Sequence, residues 1–537
     1  MVVGPYFGRF WRLLGLRGRA AHATAEGMPG VVVGPYFGRF WCLLGLRGRA
    51  AHATPEGVPG VVVGPEYGRF WCLLGLRGRA AQCHLVFFGV VLRPCFEMES
   101  TDAILARYLE VFPTDWVSSM RLELGLSGGG GLFTHALTCW LMIRQRLEGC
   151  SVEDAWLTMS PELAARFSPT SKRASTGKLS SWHGGYDHAR RSLPLKMVEA
   201  VADRLFIELS LAFSPPAGPS AFILDGTSLS PDGSAALREA YPPGRNQHKT
   251  SHFPMLKMVV AHDLWTGLAL RPSWGPMYGE DATSEQALAL TVASRLPENA
   301  IVMGDRNFGV FWLAHAFLRD GHPCLFRLTD SRAKALAGKS ADLSFDQDRE
   351  LVWRASRADL SKHPELVPGE QIQGRLVVRH VQPPGTSRMV RLVFFASGLE
   401  QDADELAKLY AKRWNVETDL RTLKKTLNLA RLSSRLPEVL ANELVLGVCA
   451  YNLVRAFGAL AAQRIGVNPR VISFSRMAAC LKGYSSRFAA AQGDDEIQRL
   501  FEEMLERAAA RKLKPRNREH PPRETYRRHQ KFPPRKN

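Results

Sequence analysis

Two short apolar runs that each lead into an aspartate constrain this chain most. Ala221-Phe222-Ile223-Leu224 ends on Asp225, and Ile301-Val302-Met303 ends at Gly304-Asp305. Runs this short suit buried strands rather than helices. A third run, Leu256 to Ala261, leads into His262-Asp263, with Gly267 to Leu270 as its expected hairpin partner, and Glu285 to Arg295 reads as a helix. Strands interleaved with helices predict an α/β core. A carboxylate at the end of a strand is held rigidly where α/β folds place their sites. One such aspartate is ordinary turn chemistry, and two are suggestive.

From Cys324 to Ser397 the texture is β. Leu351–Trp353, Gln373–His380 and Arg388–Phe395 are rich in valine and aromatics and are separated by Gly/Pro turns, which predicts a β insertion. A long helix is expected over Glu405 to Leu429. In it Tyr410, Arg413, Glu417 and Lys424 are spaced by 3, 4 and 7. At about 100° per residue they fall in one stripe roughly 60° wide. Leu409, Val416, Leu420, Leu423 and Leu427 form the adjoining apolar stripe that would dock on the sheet. A solvated charged face is the usual explanation of such a stripe. Here the four types also form a working set: Glu ligates metal, Arg and Lys hold phosphates, and Tyr bonds to a phosphate oxygen.

The chain resembles the DDE transposases of bacterial insertion sequences, in the subgroup with a Tyr-x2-Arg-x3-Glu-x6-Lys signature. Tyr410, Arg413, Glu417 and Lys424 fit that spacing, and ILDGT around Asp225 and MGDRNFG around Asp305 look like the other two acidic motifs. The likeness runs from about Phe112 to Leu481. It implies a ribonuclease-H-like catalytic core with a β-strand insertion before the last acid. It also implies that Asp225, Asp305 and Glu417 bind two Mg²⁺ ions, with Mn²⁺ able to substitute. One metal would activate the attacking water or 3′-hydroxyl and the other would stabilise the leaving oxygen. Arg413 and Lys424 would offset charge on the phosphates, and Tyr410 would join them at the DNA. The implied partners are double-stranded DNA with terminal inverted repeats and target DNA, with a homodimer formed on paired ends.

Weaker candidates remain open. Trp353 fits the subgroup's base-stacking tryptophan and fits equally a core residue on a strand. Arg306 reaches either a phosphate or a structural ion pair. Asn452 and Arg455 in AYNLVRAF resemble a family pattern, yet a buried helix needs polar partners too. His183 and His188 have no convincing ligand partners.

The formal net charge of +19 is uneven. Arg511 to Asn537 holds eleven Lys/Arg against two acids, and residues 1–97 hold eleven Arg against four Glu. A proline-containing basic tail cannot bury enough apolar surface to fold, and it predicts a disordered arm that contacts phosphates without reading sequence, with a solvated tail that has no partner as the alternative. Nine scattered cysteines, without a CxxC pair, predict free thiols in a reducing compartment. No uninterrupted apolar run approaches the roughly 20 residues that span a bilayer. The expectation is a soluble bacterial protein, cytoplasmic and nucleoid-associated, with no membrane partner.

The segment at 31–60 nearly copies 1–30, and a third copy begins at 61 and dissolves after Ala81. Each unit has several glycines and no clear helix or strand period, unlike a solenoid repeat. Residues 1–97 also contain no Lys and no Asp. The reading is a duplicated DNA unit translated in frame, a non-native extension before a start at Met98, with an Arg-rich DNA-binding arm as its rival. Peptides from 1–80 at normal abundance in the protein made from its own gene would contradict it.

The expected organisation is therefore this extension (1–97), a helical N-terminal DNA-binding domain (98–213), a catalytic domain (220–460) with its β insertion at about 324–398, a helical C-terminal region (461–510) and the basic tail (511–537). Within 98–213, helices are expected over Asp102–Phe112, Phe133–Leu147, Val152–Met159 and Leu193–Leu211, with a basic stretch of Lys172, Arg173, Lys178, His183, His188, Arg190 and Arg191 between, which suits a DNA-binding domain and equally an ordinary helical domain with a solvated loop. A second long helix, Val439 to Arg464, is apolar on most faces and should be buried. Helices over Ile472–Leu481 and Asp495–Ala509 follow. Two rivals remain: a decayed or co-opted transposase that only binds DNA, and a metal-free carboxylate-pair hydrolase.

Overall fold

The computed structural model describes residues 31–33, 42–44, 114–128, 131–213, 220–245, 250–382, 389–427, 429, 432, 434–490, 494–510 and 512–513. The helix expected over Asp102–Phe112, most of the repeats and the tail past residue 513 lie outside them. Met1–Val91 and Leu92–Asn537 are separate compact units. In the first, β1 (Val31–Val33) pairs antiparallel with β2 (Cys42–Leu44), Val31 opposite Leu44.

The second unit opens with α1 (Thr114–Glu123), α2 (His135–Glu148), α3 (Val152–Leu157), α4 (Pro161–Phe167), α5 (Lys172–Ser175), α6 (Gly184–Ser192) and α7 (Leu195–Ala212). Short polar residues start several of them. The side chains of Thr134, Ser151, Ser160 and Ser171 each accept a backbone N–H three residues on, which satisfies an otherwise orphaned donor.

The sheet region follows in the order β3 (Ala221–Leu229), α8 (Ala235–Ala240), β4 (Leu256–Asp263), β5 (Ser273–Pro276), α9 (Glu285–Ala293), β6 (Ile301–Gly304), α10 (Phe311–Arg319), β7 (Cys324–Arg327), α11 (Asp330–Ala337), β8 (Gln347–Arg354), α12 (Arg357–Lys362), β9 (Gln371–Val381) and β10 (Val390–Ser397). Among the described residues these strands form one eight-stranded sheet ordered β5-β4-β3-β6-β7-β10-β9-β8. β3, β4 and β5 form an antiparallel meander, β6 runs parallel to β3 and β7 parallel to β6, and the remaining pairs are antiparallel. This mixed α/β architecture is consistent with a ribonuclease-H-like core. Within the stretch 324–398, β7 pairs parallel with β6, while β8, β9 and β10 pair antiparallel among themselves and with β7. Gly267–Leu270 folds back on the end of β4 as expected, with Ala269 opposite His262 and Leu270 N–H donating to Ala261 O at 2.9 Å, while β5 pairs with the start of β4, Met258 opposite Trp274.

The chain ends in α13 (Ala403–Ala411), α14 (Trp414–Lys425), α15 (Pro437–Arg464), a 3₁₀ turn at Pro469–Val471, α16 (Phe474–Ala490) and α17 (Asp494–Ala509). The single helix expected over Glu405–Leu429 is thus two. Between them Lys412 N–H donates to Leu409 O and Arg413 N–H to Tyr410 O, bonds three residues back that tighten the turn. Tyr410 and Glu417 therefore lie on different helices, and the four-residue stripe is not one continuous face.

α15 is long and apolar enough to cross a membrane, and 89% of its apolar window is buried inside the protein. Glu443 in it accepts from Arg190 Nη2 at 2.6 Å and pairs with Arg146 at 3.3 Å. Arg190 is 5% exposed, so it belongs to this internal ion cluster and is withdrawn from the basic surface stretch. Asn442 Nδ2 donates to Leu193 O at 2.9 Å, and Arg271 forks onto Asp203 at 2.9 and 3.0 Å. Through these bonds the N-terminal helices are fastened to α15 and to the loop after β4. The boundary drawn at 213 separates no independent body within 92–537.

Candidate active site

Asp225 lies in the middle of β3, opposite Val260 of β4, and not at a strand end as its apolar run suggested. Asp305 immediately follows β6. The parallel register pairs Ala221 with Ile301, Phe222 with Val302 and Ile223 with Met303. Asp225 stands two residues beyond Ile223 within β3 and Asp305 two beyond Met303, just past the end of β6, so the register carries both half-buried acids toward the same part of the sheet. Gly226 N–H donates to Asp225 Oδ1 at 2.9 Å, and Asn307 N–H donates to Asp305 Oδ1 at 2.8 Å.

The loop after Asp305 turns sharply because Gly309 lies against β7: a Cβ on it would stand 2.4 Å from Arg327 O. The same β6–β7 register, with Gly304 opposite Phe326, brings Arg327 level with Asp305. Arg327 has no motif around it and was not found in the sequence, since a single Arg closing a short strand carries no periodic signal. Burial holds its guanidinium below the usual arginine value, and Arg306 and Arg413 nearby push the same way. Arg306 is exposed, with its carbonyl taken by Arg332 Nη1.

Tyr410 is 3% exposed, and its ring packs on Phe394 with centroids 4.7 Å apart. Burial pushes its phenol up to about 12 against the opposing pull of Arg413 and Arg327, so it is a hydrogen-bond donor at neutral pH. The Arg413 guanidinium lies 5.8 Å from the centre of the same ring. Tyr410, Arg413, Arg327 and Asp305 are thus one neighbourhood.

Glu417 is in the first part of α14, and its side chain lies outside the described residues. Leu420, Leu423 and Leu427 are buried, as the apolar stripe predicted. Lys424 Nζ donates to Thr227 Oγ1 at 2.9 Å and to Ser228 O at 3.0 Å, which docks α14 on β3 two residues beyond Asp225. Burial lowers its pKa. Lys424 therefore has a structural role that the sequence reading did not give it. Position 417 is seven residues before it, two helical turns away on the same side.

Asp419, also in α14, is 1% exposed and accepts from Arg455 Nη2 and, at 2.6 Å, from Arg470 Nη1. Burial pushes its carboxyl up, but Arg470 and Arg455 outweigh that and hold it at about 2. Asn452 bonds both backbone groups of Ala269 at 2.8 Å. Asn452 and Arg455 are thus internal fasteners.

Trp353 lies on β8. It is 8% exposed, packed edge-on against Phe395 at 4.8 Å and Phe311 at 6.0 Å. This packing favours the core reading of Trp353 over the base-stacking one. Trp353→Ala is expected to cost about 3–5 kcal/mol of stability, as deletion of a buried aromatic does. A melting curve checks it, and an unchanged midpoint with slowed late cleavage steps would restore the stacking role.

Among the described side chains no three His, Cys, Asp or Glu converge on one metal-sized space. Asp225 and Asp305 supply two carboxylates. Two hard oxygen donors in the same part of the sheet, ringed by arginines, suit a divalent cation and a phosphate.

The comparisons bear on the same region. Residues 216–453 match the family model of the transposase DDE domain. The transposase InsG of insertion sequence element IS4 from Escherichia coli (strain K12) is 26% identical over 239 residues, 44% of this chain and 52% of that protein. The chain thus spans about half the length of the curated relative it matches. A piggyBac transposase synaptic complex with hairpin DNA, solved by cryo-EM, is similar at 12% identity and a TM-score of 0.38, over 75% of this chain and 85% of that one. That likeness is too loose to carry an argument. The family match covers the region that holds Asp225 and Asp305, and both likenesses are to transposases, the first of the DDE type.

Proposed function

We propose that this chain binds the terminal inverted repeats of an insertion sequence and cuts and joins DNA strands there. The strands β5-β4-β3-β6-β7 are its ribonuclease-H-like core and β8–β10 its insertion. Asp225, Asp305 and Glu417 are the catalytic carboxylates and would hold Mg²⁺ or Mn²⁺. The observation that carries the reading is the parallel register that carries Asp225 and Asp305 toward the same part of the sheet, with the helix bearing Glu417 docked on β3 through Lys424.

Bound divalent cations supply electrostatic stabilisation of the charge that develops at phosphorus. The chain's own groups do the rest. Arg327, Arg413 and the exposed Arg306 lie beside Asp305 and offset negative charge on the phosphate at the cut end. Tyr410, buried on Phe394, backs the Arg413 and Arg327 guanidiniums. Two such chains on paired ends and a target duplex complete the assembly. The test is Mg²⁺-dependent nicking of DNA that carries the inverted repeats flanking the gene, and absence of metal-dependent cutting there overturns the reading.

The basic tail supplies affinity and not sequence choice. Leu513 N–H donates to Val471 O at 2.8 Å, so a chain ending at Leu513 keeps that contact. Such a chain is expected to bind all DNA more weakly, with a shallower salt dependence, and with its preference for end over random DNA unchanged. Binding titrations at several salt concentrations decide it, and altered preference at an unaltered slope contradicts it.

A further inference from the structure

Glu285 opens α9, one residue after the Ser284 cap. Its Oε2 accepts from Asn307 Nδ2 at 2.6 Å. Asn307 is held from its other side as well, because Gln286 Nε2 donates to Asn307 O at 2.9 Å and to Asn307 Oδ1 at 3.0 Å. The backbone N–H of this doubly held residue is the group that binds Asp305 Oδ1. The Glu285 carboxylate also lies over Gly226, the residue after Asp225. A Cβ on Gly226 would stand 2.6 Å from Glu285 Cδ and 2.8 Å from its Oε1. One carboxylate on a helix outside the three acidic motifs thus touches the chain beside the first acid and the loop beyond the second.

We infer that Glu285 is a positioning residue: through Asn307 it sets the orientation of the Asp305 carboxylate, and residue 226 is glycine to leave Glu285 room. This rests on the site reading above. The register carries Asp225 and Asp305 toward the same part of the sheet, and in the absence of a cation two like charges brought close there repel. Asp305 stays turned toward its neighbour only if something outside the pair holds it. The Asn307 N–H does so on Oδ1, and it points correctly only while the Asn307 side chain is tied to α9. Outer partners of this kind commonly change metal affinity about ten- to hundredfold.

The test uses the full chain, with calorimetric titration of Mg²⁺, hydrogen exchange at the Asn307 amide in metal-free buffer, and nicking of inverted-repeat DNA. Glu285→Ala is expected to weaken Mg²⁺ binding about ten- to hundredfold, to speed Asn307 exchange and to leave melting unchanged. Glu285→Gln should recover most of the affinity, because its amide oxygen accepts the same N–H. Gly226→Ala should copy Glu285→Ala by displacing the carboxylate, and the double variant should be no worse than either. Parental Mg²⁺ affinity and exchange in Glu285→Ala overturn the inference, as does a Gln variant as impaired as the Ala one. Asp225→Ala separates the two levels. If it still binds Mg²⁺ and nicks, the site reading itself fails; if it does neither while Glu285→Ala behaves as parent, only this inference fails.

Discussion

Replacing Asp225, Asp305 or Glu417 by alanine is expected to abolish strand cleavage and leave the fold and DNA binding intact. On the proposed reading these carboxylates exist to hold cations. Asp225 and Asp305 are half-buried, and each accepts a bond from a backbone N–H within two residues of itself. Losing one such bond costs about 1 kcal/mol, and removing a like charge from the pair returns part of it. Cleavage fails because one missing ligand misplaces at least one cation. Binding of end DNA is expected to persist, because on the proposed reading its phosphate contacts come from Arg327, Arg413 and other basic groups. Lys424→Ala should differ. End binding weakens while cleavage survives at high DNA concentration, and melting falls because Lys424 also ties α14 to Thr227 and Ser228. Gel shifts and melting curves beside the nicking assay separate these cases.

The second large effect is on stability. Asp419→Ala is expected to destabilise the protein by about 3–5 kcal/mol, the usual cost of removing one partner from a buried ion pair. It strands two buried guanidiniums, since Arg455 and Arg470 both converge on Asp419. Arg470 also bonds the carbonyls of Asp263 and Leu264, so the loss propagates from α14 to the end of β4. This cluster predicts the pH dependence as well. His262 is fully buried and burial lowers its pKa to about 4. As pH falls from about 6.5 to 4 the unfolded chain takes up a proton that the folded one does not, and stability drops. Asp419, held at about 2, adds a further loss as pH falls from about 4 towards 2. Melting across this range checks both, and a midpoint flat from pH 7 to pH 4 contradicts the His262 part.

Much of this arrangement was legible because short apolar strands and their acids are local signals. The Asp225 and Asp305 runs, the apolar docking stripe of α14 and the buried α15 were all readable that way. What escaped depended on tertiary partners. β3 continues through Gly226-Thr227-Ser228 because β4 pairs with it to Leu256, although Gly226 is a poor strand former. The break at Lys412-Arg413 has no glycine or proline to announce it. Arg190 reads as one more surface charge until Glu443, far along the chain, is placed against it. Glu285 looks like an ordinary acidic residue in a helix's first turn, and only the absent side chain of Gly226 and the bond from Asn307 show where it reaches.

The most direct test of the central claim is the rate of Mg²⁺-dependent nicking of inverted-repeat DNA by Glu417→Ala beside the parent. Glu417 is the residue on which the helix signature turns, and it lies two turns from the Lys424 contact that fixes α14 to the strand of Asp225. The account predicts no detectable nicking by a variant that melts and binds DNA as the parent does. Nicking near the parental rate would mean that α14 presents only a solvated charged face, and the proposed site would be wrong.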